Sequence, residues 1–158
     1  MSPVNQKMDY KPGQFVFIRF LLSGVKELPS EWHPFSISSA PGEDKLAISV
    51  KALGDYTNAL PKLKQGCIVE IEGAYGKFTY TNFKNRDQIW IAGGIGVTPF
   101  TSMAKSLPDD GYSIDLYYSV KSETELVDWE ILSGIAQAKK GKFRLIPFVA
   151  DTQKDFLV

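Results

Sequence analysis

Cysteine is nearly absent from this chain, since Cys67 is the only one among 158 residues. A single cysteine excludes an internal disulfide, a Cys-x-x-C redox pair and a cysteine-rich zinc site. Its scarcity also favours a reducing compartment. Cys67 lies in a segment that alternates like a strand, so we expect it in the hydrophobic core. No metal-ligating pattern is evident, and no metal is expected.

An excess of charge and long hydrophobic runs are also missing. The 18 basic and 18 acidic residues give a formal net charge of zero, which disfavours nucleic acid or an anionic membrane surface as the partner. No segment approaches the roughly 18 apolar residues that a membrane-spanning helix needs, and no signal region begins the chain. The apolar content of 44% is typical of globular domains and argues against disorder. We therefore expect this chain by itself to be soluble, with no transmembrane segment.

The first half of the chain consists of short strand patterns separated by turns. Pro12-Gly13 and residues 40–44 are typical turns, and the only helix candidate, residues 57–63, contains Pro61 and must be short. Four segments have the composition of strands, with β-branched and aromatic residues or with alternating apolar and polar ones. They are residues 14–22, 34–39, 46–51 and 67–72.

A polar linker near residue 86 separates these strands from a second pattern. Residues 88–92 form a continuous apolar strand, which suits a sheet covered on both faces. A glycine-rich turn at 93–96 then precedes a helix with Thr98 as its N-cap and Pro99 at its first position. The remaining elements are a strand, a helix and a strand at residues 113–119, 125–138 and 143–149.

These two patterns predict two domains of different class. Closely spaced strands joined by turns predict a small antiparallel β-barrel over residues 1–86. Alternating strands and helices predict a truncated, Rossmann-like parallel α/β domain over residues 87–158.

The strongest local motif is the glycine-rich turn between the apolar strand and the helix, at residues 93–99. Glycines there let the backbone approach a ligand closely, and unpaired N–H groups at a helix N-terminus attract an anion such as a pyrophosphate. The sequence Gly-Gly-Ile-Gly-Val-Thr-Pro is not the G-x-G-x-x-G fingerprint of dehydrogenases. The alternative interpretation is a tight turn that binds nothing.

Two further motifs lie in the first half. Gly54-Asp55-Tyr56-Thr57 opens the predicted helix, and with Lys51 it could form an anion site; the alternative is a hairpin turn capped by a threonine. The segment from His33 to Ser39 supplies a cation candidate, an aromatic ring and several hydroxyls on an extended strand. Its alternative interpretation is an ordinary surface histidine beside a proline.

Five motifs follow one another along the chain: Pro12-Gly13-Gln14-Phe15, His33-Pro34-Phe35-Ser36-Ile37, Gly54-Asp55-Tyr56-Thr57, Gly73-Ala74-Tyr75-Gly76 and Gly93-Gly94-Ile95-Gly96-Val97-Thr98-Pro99. In this order they resemble the ferredoxin-reductase family. His-Pro-Phe-Ser in place of Arg-x-Tyr-Ser resembles its branch of ferric reductases and NADPH oxidases. The resemblance is specific across residues 12–99 and looser to about residue 150.

The resemblance implies FAD and NADPH (or NADH) as cofactors and assigns residues to each. Ser36, at the hydride-accepting edge of the flavin, and Thr98, near the nicotinamide, are the implied catalytic residues. His33 would lie near the flavin phosphate or ribityl chain, and Phe35 against the flavin ring. The residues implied for FAD are His33, Pro34, Phe35, Ser36, Val50, Lys51, Gly54, Tyr56 and Thr57, and those for the nicotinamide nucleotide are Gly93, Gly94, Gly96, Val97, Thr98, Pro99, Ser119 and Lys121.

The implied activity is transfer of hydride from NAD(P)H to FAD and then of single electrons to an acceptor, such as a haem in a membrane domain or an iron species. The module would then lie at the cytoplasmic side of a membrane. Two other interpretations stay open: a soluble, cytoplasmic flavin reductase or electron-transfer subunit, and a non-catalytic remnant of the fold. The last is favoured by the absence of the family's late Cys-Gly-Pro segment. Because the stretch before Pro12 is also shorter than in the family, we expect the chain to be a fragment.

Overall fold

A computed structural model describes residues 1, 8–21, 24–26 and 28–151. Residue 22, the predicted end of the first strand, and residues 152–158 of the second predicted domain lie outside this description.

The first half contains a three-stranded antiparallel sheet, in which β1 (Phe15–Phe20) lies between β2 (His33–Ser36) and β3 (Val69–Tyr75). Alternate residues of β1, namely Val16, Ile18 and Phe20, are buried and form the centre of a hydrophobic core. Cys67 packs against this core and is half-buried. The antiparallel β class predicted for this half is therefore confirmed.

The predicted strand at residues 46–51 is wrong as a continuous strand. Ile48 forms only an isolated bridge with Ile37. The neighbouring backbone groups have other partners, because the Ala47 amide donates to Ser39 Oγ at 3.0 Å and the Leu46 amide donates to the carbonyl of Met1 at 3.0 Å. Among the described residues the sheet therefore does not close through this segment.

The short helix of this half, α1 (Asp55–Ala59), begins two residues earlier than predicted and continues as a 3₁₀ turn over Leu60–Lys62. The Thr57 hydroxyl accepts hydrogen bonds from the amides of Leu53 and Gly54, at 2.9 and 3.1 Å. This side-chain capping holds the turn that leads into the helix.

The second half contains three parallel strands in the order β4 (Asp87–Gly93), β5 (Ser113–Val120) and β6 (Phe143–Val149). They are connected by α2 (Thr98–Lys105) and α3 (Trp129–Ala138). The predicted parallel α/β class is confirmed, and the three strands lie within one residue of their predicted bounds on each side.

Two details of this half differ from prediction. Thr98 is not the N-cap of α2: Val97 holds that position, and the Thr98 hydroxyl donates to the carbonyl of Ile95 at 2.8 Å. The helix predicted from residue 125 begins only at Trp129, because a 3₁₀ turn (Glu123–Glu125) and Asp128, in the left-handed conformation with φ 56°, precede it.

Among the described residues only one face of the parallel sheet is covered, so the prediction of a sheet covered on both faces is wrong here. Trp90, Leu116 and Tyr118 face α2 and α3 in the second core, whereas Ile89 and Ile91 of β4 are 67% and 76% exposed. The strands lie side by side in chain order, β4, β5 and β6. Because connections between parallel strands are right-handed, both connecting helices lie on the same face of the sheet.

The two halves contact each other through α2. The buried Ser102 hydroxyl donates to the carbonyl of Ser39 at 2.6 Å, and the ring of Phe78 packs edge-on against Phe100 with centroids 5.3 Å apart. The division at residue 86 stays a prediction.

Candidate functional site

An open cavity of about 370 Å³ lies between β2 and the turn into α1. Two of the four family motifs of the first half meet there. From β2 it is lined by His33, Pro34 and Phe35, and from the turn by Gly54, Tyr56 and Thr57. The structure thus brings together six residues that the resemblance assigned to the flavin.

The rings of His33 and Tyr56 stack in this cavity, with centroids 3.6 Å apart. His33 Nε2 and the Tyr56 hydroxyl are both buried and have no hydrogen-bond partner among the described residues. Glu31 Oε2 lies 3.7 Å from His33 Nε2, beyond hydrogen-bond range. Burial, with a smaller contribution from Glu31, raises the pKa of Tyr56, so its hydroxyl keeps its proton and is a donor. Buried polar groups are normally paired, so these two atoms fit a polar ligand in the cavity.

Phe35 and Ser36 lie on opposite faces of β2. Phe35 is opposite Val16 and is only 9% exposed, packed in the first core. Ser36 is opposite Phe15 on the other face of the sheet and is half-buried. Phe35 therefore has a structural role in the first core and is also one of the residues that line the cavity.

At three glycine positions of the predicted phosphate-binding motifs, neither the backbone conformation nor the packing of the fold requires glycine. Gly54, Gly93 and Gly96 all have φ values outside the left-handed region, and a Cβ at each would meet no atom within 4 Å. Within the turn, only Gly94 has a left-handed backbone conformation, with φ +49°, which favours glycine at that position. Open backbone at the other three positions is what close approach of a ligand needs.

The glycine turn lies at the carboxyl edge of the parallel sheet, between the end of β4 and the start of α2. Gly93 is in register with Ser119 of β5, and Ser119 and Lys121 are both exposed at this edge. Val97 and Thr98, by contrast, are buried. Ligands of open α/β sheets bind outside the carboxyl ends of the strands, so the exposed residues here are well placed for a nucleotide.

Lys51 does not line the first cavity but forms an ion pair with Glu125, at 2.9 Å between Nζ and Oε1. Next to it, the Ser49 hydroxyl donates to Asp128 Oδ2 at 3.3 Å, and Val50 is exposed. These contacts join the first half to the loop at the carboxyl edge of the sheet. Glu125 and Asp128 could not be predicted from a local sequence pattern. Each lies more than seventy residues along the chain from its partner, Lys51 or Ser49.

A second cavity, of about 730 Å³, opens at the carboxyl ends of β5 and β6, beside the start of α3. Glu123, Asp128 and Trp129 line it together with Pro147 of β6. No local sequence pattern singled out these residues.

Within the described part of the chain, the helices are all too short or too polar to cross a membrane.

Two protein-family models match the chain. One, described as an FAD-binding domain, matches residues 1–79. The other, described as an oxidoreductase NAD-binding domain, matches residues 90–156. The chain therefore belongs to the ferredoxin-reductase-type family of FAD- and NAD(P)-binding oxidoreductases.

Relatives and solved structures agree with this assignment. NADPH oxidase 3 of Rattus norvegicus is 36% identical over 115 residues, which cover 65% of this chain and 20% of the oxidase. Ferric reduction oxidase 8, mitochondrial, of Arabidopsis thaliana is 35% identical over 117 residues, which cover 66% of this chain and 16% of that protein. A ferredoxin NADP+ reductase from Neisseria gonorrhoeae with bound FAD and NADP has the same fold, with a TM-score of 0.72 at 23% identity over 90% of this chain and 57% of that one. The chain thus spans a fifth or less of these two oxidases.

Proposed function

We propose that this chain is the flavin- and nicotinamide-binding module of an oxidoreductase that passes hydride from NAD(P)H to FAD and then single electrons to an acceptor. The observation that carries the proposal is the cavity between β2 and α1, where His33 Nε2 and the Tyr56 hydroxyl are buried and have no hydrogen-bond partner among the described residues. The family's FAD-binding domain covers this part of the chain.

On the flavin side, the His33 and Tyr56 polar atoms would bond the phosphate or ribityl part of the cofactor. The open backbone at Gly54 and the Thr57 turn would hold the diphosphate. Phe35 would present its ring edge to the flavin, and Ser36 would be the hydrogen-bonding residue at the hydride-accepting position. The protein's contribution is orientation, since the redox chemistry belongs to the cofactor.

On the nicotinamide side, the exposed backbone of Gly93 to Gly96 would receive the dinucleotide phosphates, and Thr98 and Pro99 would begin the helix beneath the nicotinamide. Ser119 and Lys121 would contact the adenosine end, where a cation favours the 2′-phosphate of NADPH over NADH. The ion pair of Lys51 with Glu125 supports a shared crevice, because it ties the first half to this same edge of the sheet.

For the acceptor, we favour a haem-bearing membrane domain, with this module on the cytoplasmic side. The similarity to an NADPH oxidase and to a ferric reduction oxidase supports this choice. The second candidate is a soluble electron-transfer subunit that reduces iron species. It is supported by the ferredoxin NADP+ reductase fold of the chain.

The direct test is FAD uptake by the purified chain, followed by anaerobic addition of NADPH or NADH. We expect a yellow protein whose oxidised-flavin absorbance disappears when a nicotinamide nucleotide is added. A chain that retains FAD but is not reduced would support the remnant interpretation. A colourless chain that takes up no added FAD would contradict the proposed function as a whole.

Phe35→Leu separates the two roles of the Phe35 ring. Leucine keeps most of the buried apolar volume, so the free energy of unfolding should fall by only about 1 kcal/mol, whereas Phe35→Ala should cost about 3 kcal/mol. Loss of the aromatic edge should weaken FAD binding roughly fivefold in the leucine variant. Urea denaturation and FAD titration measure the two effects, and unchanged FAD affinity in Phe35→Leu would exclude a ring contact.

A further inference from the structure

The Glu125 carboxylate uses both of its oxygens to bind positively polarised groups of the two candidate sites. Oε1 lies 2.9 Å from Lys51 Nζ, on the flavin side. Oε2 accepts a hydrogen bond from the backbone amide of Lys121 at 3.3 Å, at the edge assigned to the nicotinamide nucleotide. One carboxylate therefore lies between donors of two residues that the resemblance assigned to different cofactors, Lys51 to FAD and Lys121 to the nicotinamide nucleotide.

The backbone of Glu125 is fixed by the second core. Its carbonyl accepts a hydrogen bond from the Tyr118 hydroxyl at 3.3 Å, and the amide of Val127 donates to the same hydroxyl at 2.9 Å. Tyr118 is fully buried, and Leu126 and Val127 pack against its core. The backbone that carries the Glu125 side chain is thus anchored to the second core by these two hydrogen bonds.

The charge of Glu125 is maintained under ordinary conditions. The hydrogen bond from Lys51, then that from the Lys121 amide, lowers the pKa of Glu125 below its usual value, so the carboxylate is ionised at neutral pH. A full negative charge beside Lys51 cancels much of the attraction that this ammonium would otherwise exert on a cofactor phosphate.

We propose that the Glu125 carboxylate is an internal competitor for the cofactor phosphates, occupying the Lys51 ammonium and the Lys121 amide until a phosphate replaces it. This inference rests on the proposed function. It assigns to Glu125 a role in setting cofactor affinity.

The shared carboxylate also couples the two sites. A nucleotide phosphate that takes the Lys121 amide displaces Glu125 and leaves Lys51 free for the flavin diphosphate. Because coupling between binding sites is reciprocal, each ligand then tightens the binding of the other by the same factor.

Glu125→Gln tests this inference, with Glu123→Gln as its matched control. Glu123 belongs to the same 3₁₀ turn, and its carboxylate forms no ion pair with any residue in the described part of the chain. We expect Glu125→Gln to tighten FAD binding roughly threefold, measured by quenching of FAD fluorescence on the full chain, and Glu123→Gln to change it little. Circular dichroism and thermal unfolding check that each variant folds, and Glu125→Ala is the second variant with the same expectation.

Two further titrations separate competition from a general charge effect. In a Lys51→Met background, Glu125→Gln should have less than half of its effect on FAD affinity. In the unaltered chain, saturating 2′-phospho-AMP should tighten FAD binding, and Glu125→Gln should remove most of this coupling.

Several outcomes would overturn the inference. FAD affinity that is unchanged or weaker in both folded Glu125 variants would contradict it while leaving the proposed function intact, since the chain would still bind FAD. If Glu123→Gln tightened FAD binding as much as Glu125→Gln, the effect would come from removing a negative charge at a distance and not from competition for Lys51. Failure of the unaltered chain to bind FAD would contradict the inference and the proposed function together.

Discussion

Replacing Gly13 with alanine is expected to lower the free energy of unfolding by about 3 kcal/mol, from left-handed backbone strain and overpacking together. Gly13 has φ +94°, and a Cβ there would lie 2.1 Å from the carbonyl oxygen of Phe78 and 2.3 Å from Met103 Cε. The carbonyl is backbone and cannot swing aside as a flexible side chain does. Thermal unfolding should record a decrease in Tm of roughly 6 to 12 °C for a chain of this length.

Gly111→Ala is the matched control for this change. Its φ of +91° is nearly the same, but a Cβ there would meet no atom within 4 Å. It should therefore cost only the backbone strain, about 1 kcal/mol. Equal losses in the two variants would show that the close contact at Gly13 contributes nothing. The expected difference makes the Pro12-Gly13 turn a packing point where the first half meets Met103 of α2.

The parallel sheet was predictable because its strands are set by local apolar patterns. β4 and β5 bury alternate residues such as Trp90 and Leu116, and β6 buries Phe143 and Val149 at its two ends. The three runs are bounded by polar or glycine-containing turns. Residues 46–51 show the limit of this reasoning. They alternate as well as a strand does, but a serine hydroxyl and the carbonyl of Met1 take the neighbouring amides, and such partners are not encoded within a six-residue window.

The candidate site shows the same division between local and long-range information. His33, Phe35, Gly54 and Tyr56 could be selected from their motifs, and the structure brings them to one cavity. What the motifs did not indicate is that Phe35 packs in the core and that Thr98 is buried with its hydroxyl bonded to its own turn. Both depend on how the strand or helix faces its neighbours.

The three glycines of the turn at residues 93–96 differ in a way that only coordinates reveal. All three belong to one sequence motif, yet only Gly94, with φ +49°, has a backbone conformation that favours glycine. Because the fold does not require glycine at positions 93 and 96, a substitution there can change ligand binding without changing the free energy of unfolding.

Gly96→Ala is accordingly expected to keep the fold and lose the nucleotide. The position is exposed, has no left-handed φ and has open space around a Cβ, so the free energy of unfolding should change by less than about 0.5 kcal/mol. A methyl group on the surface that receives the dinucleotide phosphates should hold them off the backbone amides. We expect the affinity for NADP+ to fall at least about tenfold, equivalent to about 1.4 kcal/mol.

Titration of the FAD-loaded chain with NADP+ measures this affinity without turnover, and Gly134→Ala supplies the matched control. Gly134 lies inside α3, where a Cβ would also meet no atom within 4 Å. Alanine there should stabilise the helix by about 1 kcal/mol and leave nucleotide binding unchanged. If Gly96→Ala folds normally and binds NADP+ as tightly as the unaltered chain, the nucleotide does not approach this turn. The open backbone at Gly93 and Gly96 would then need a different explanation.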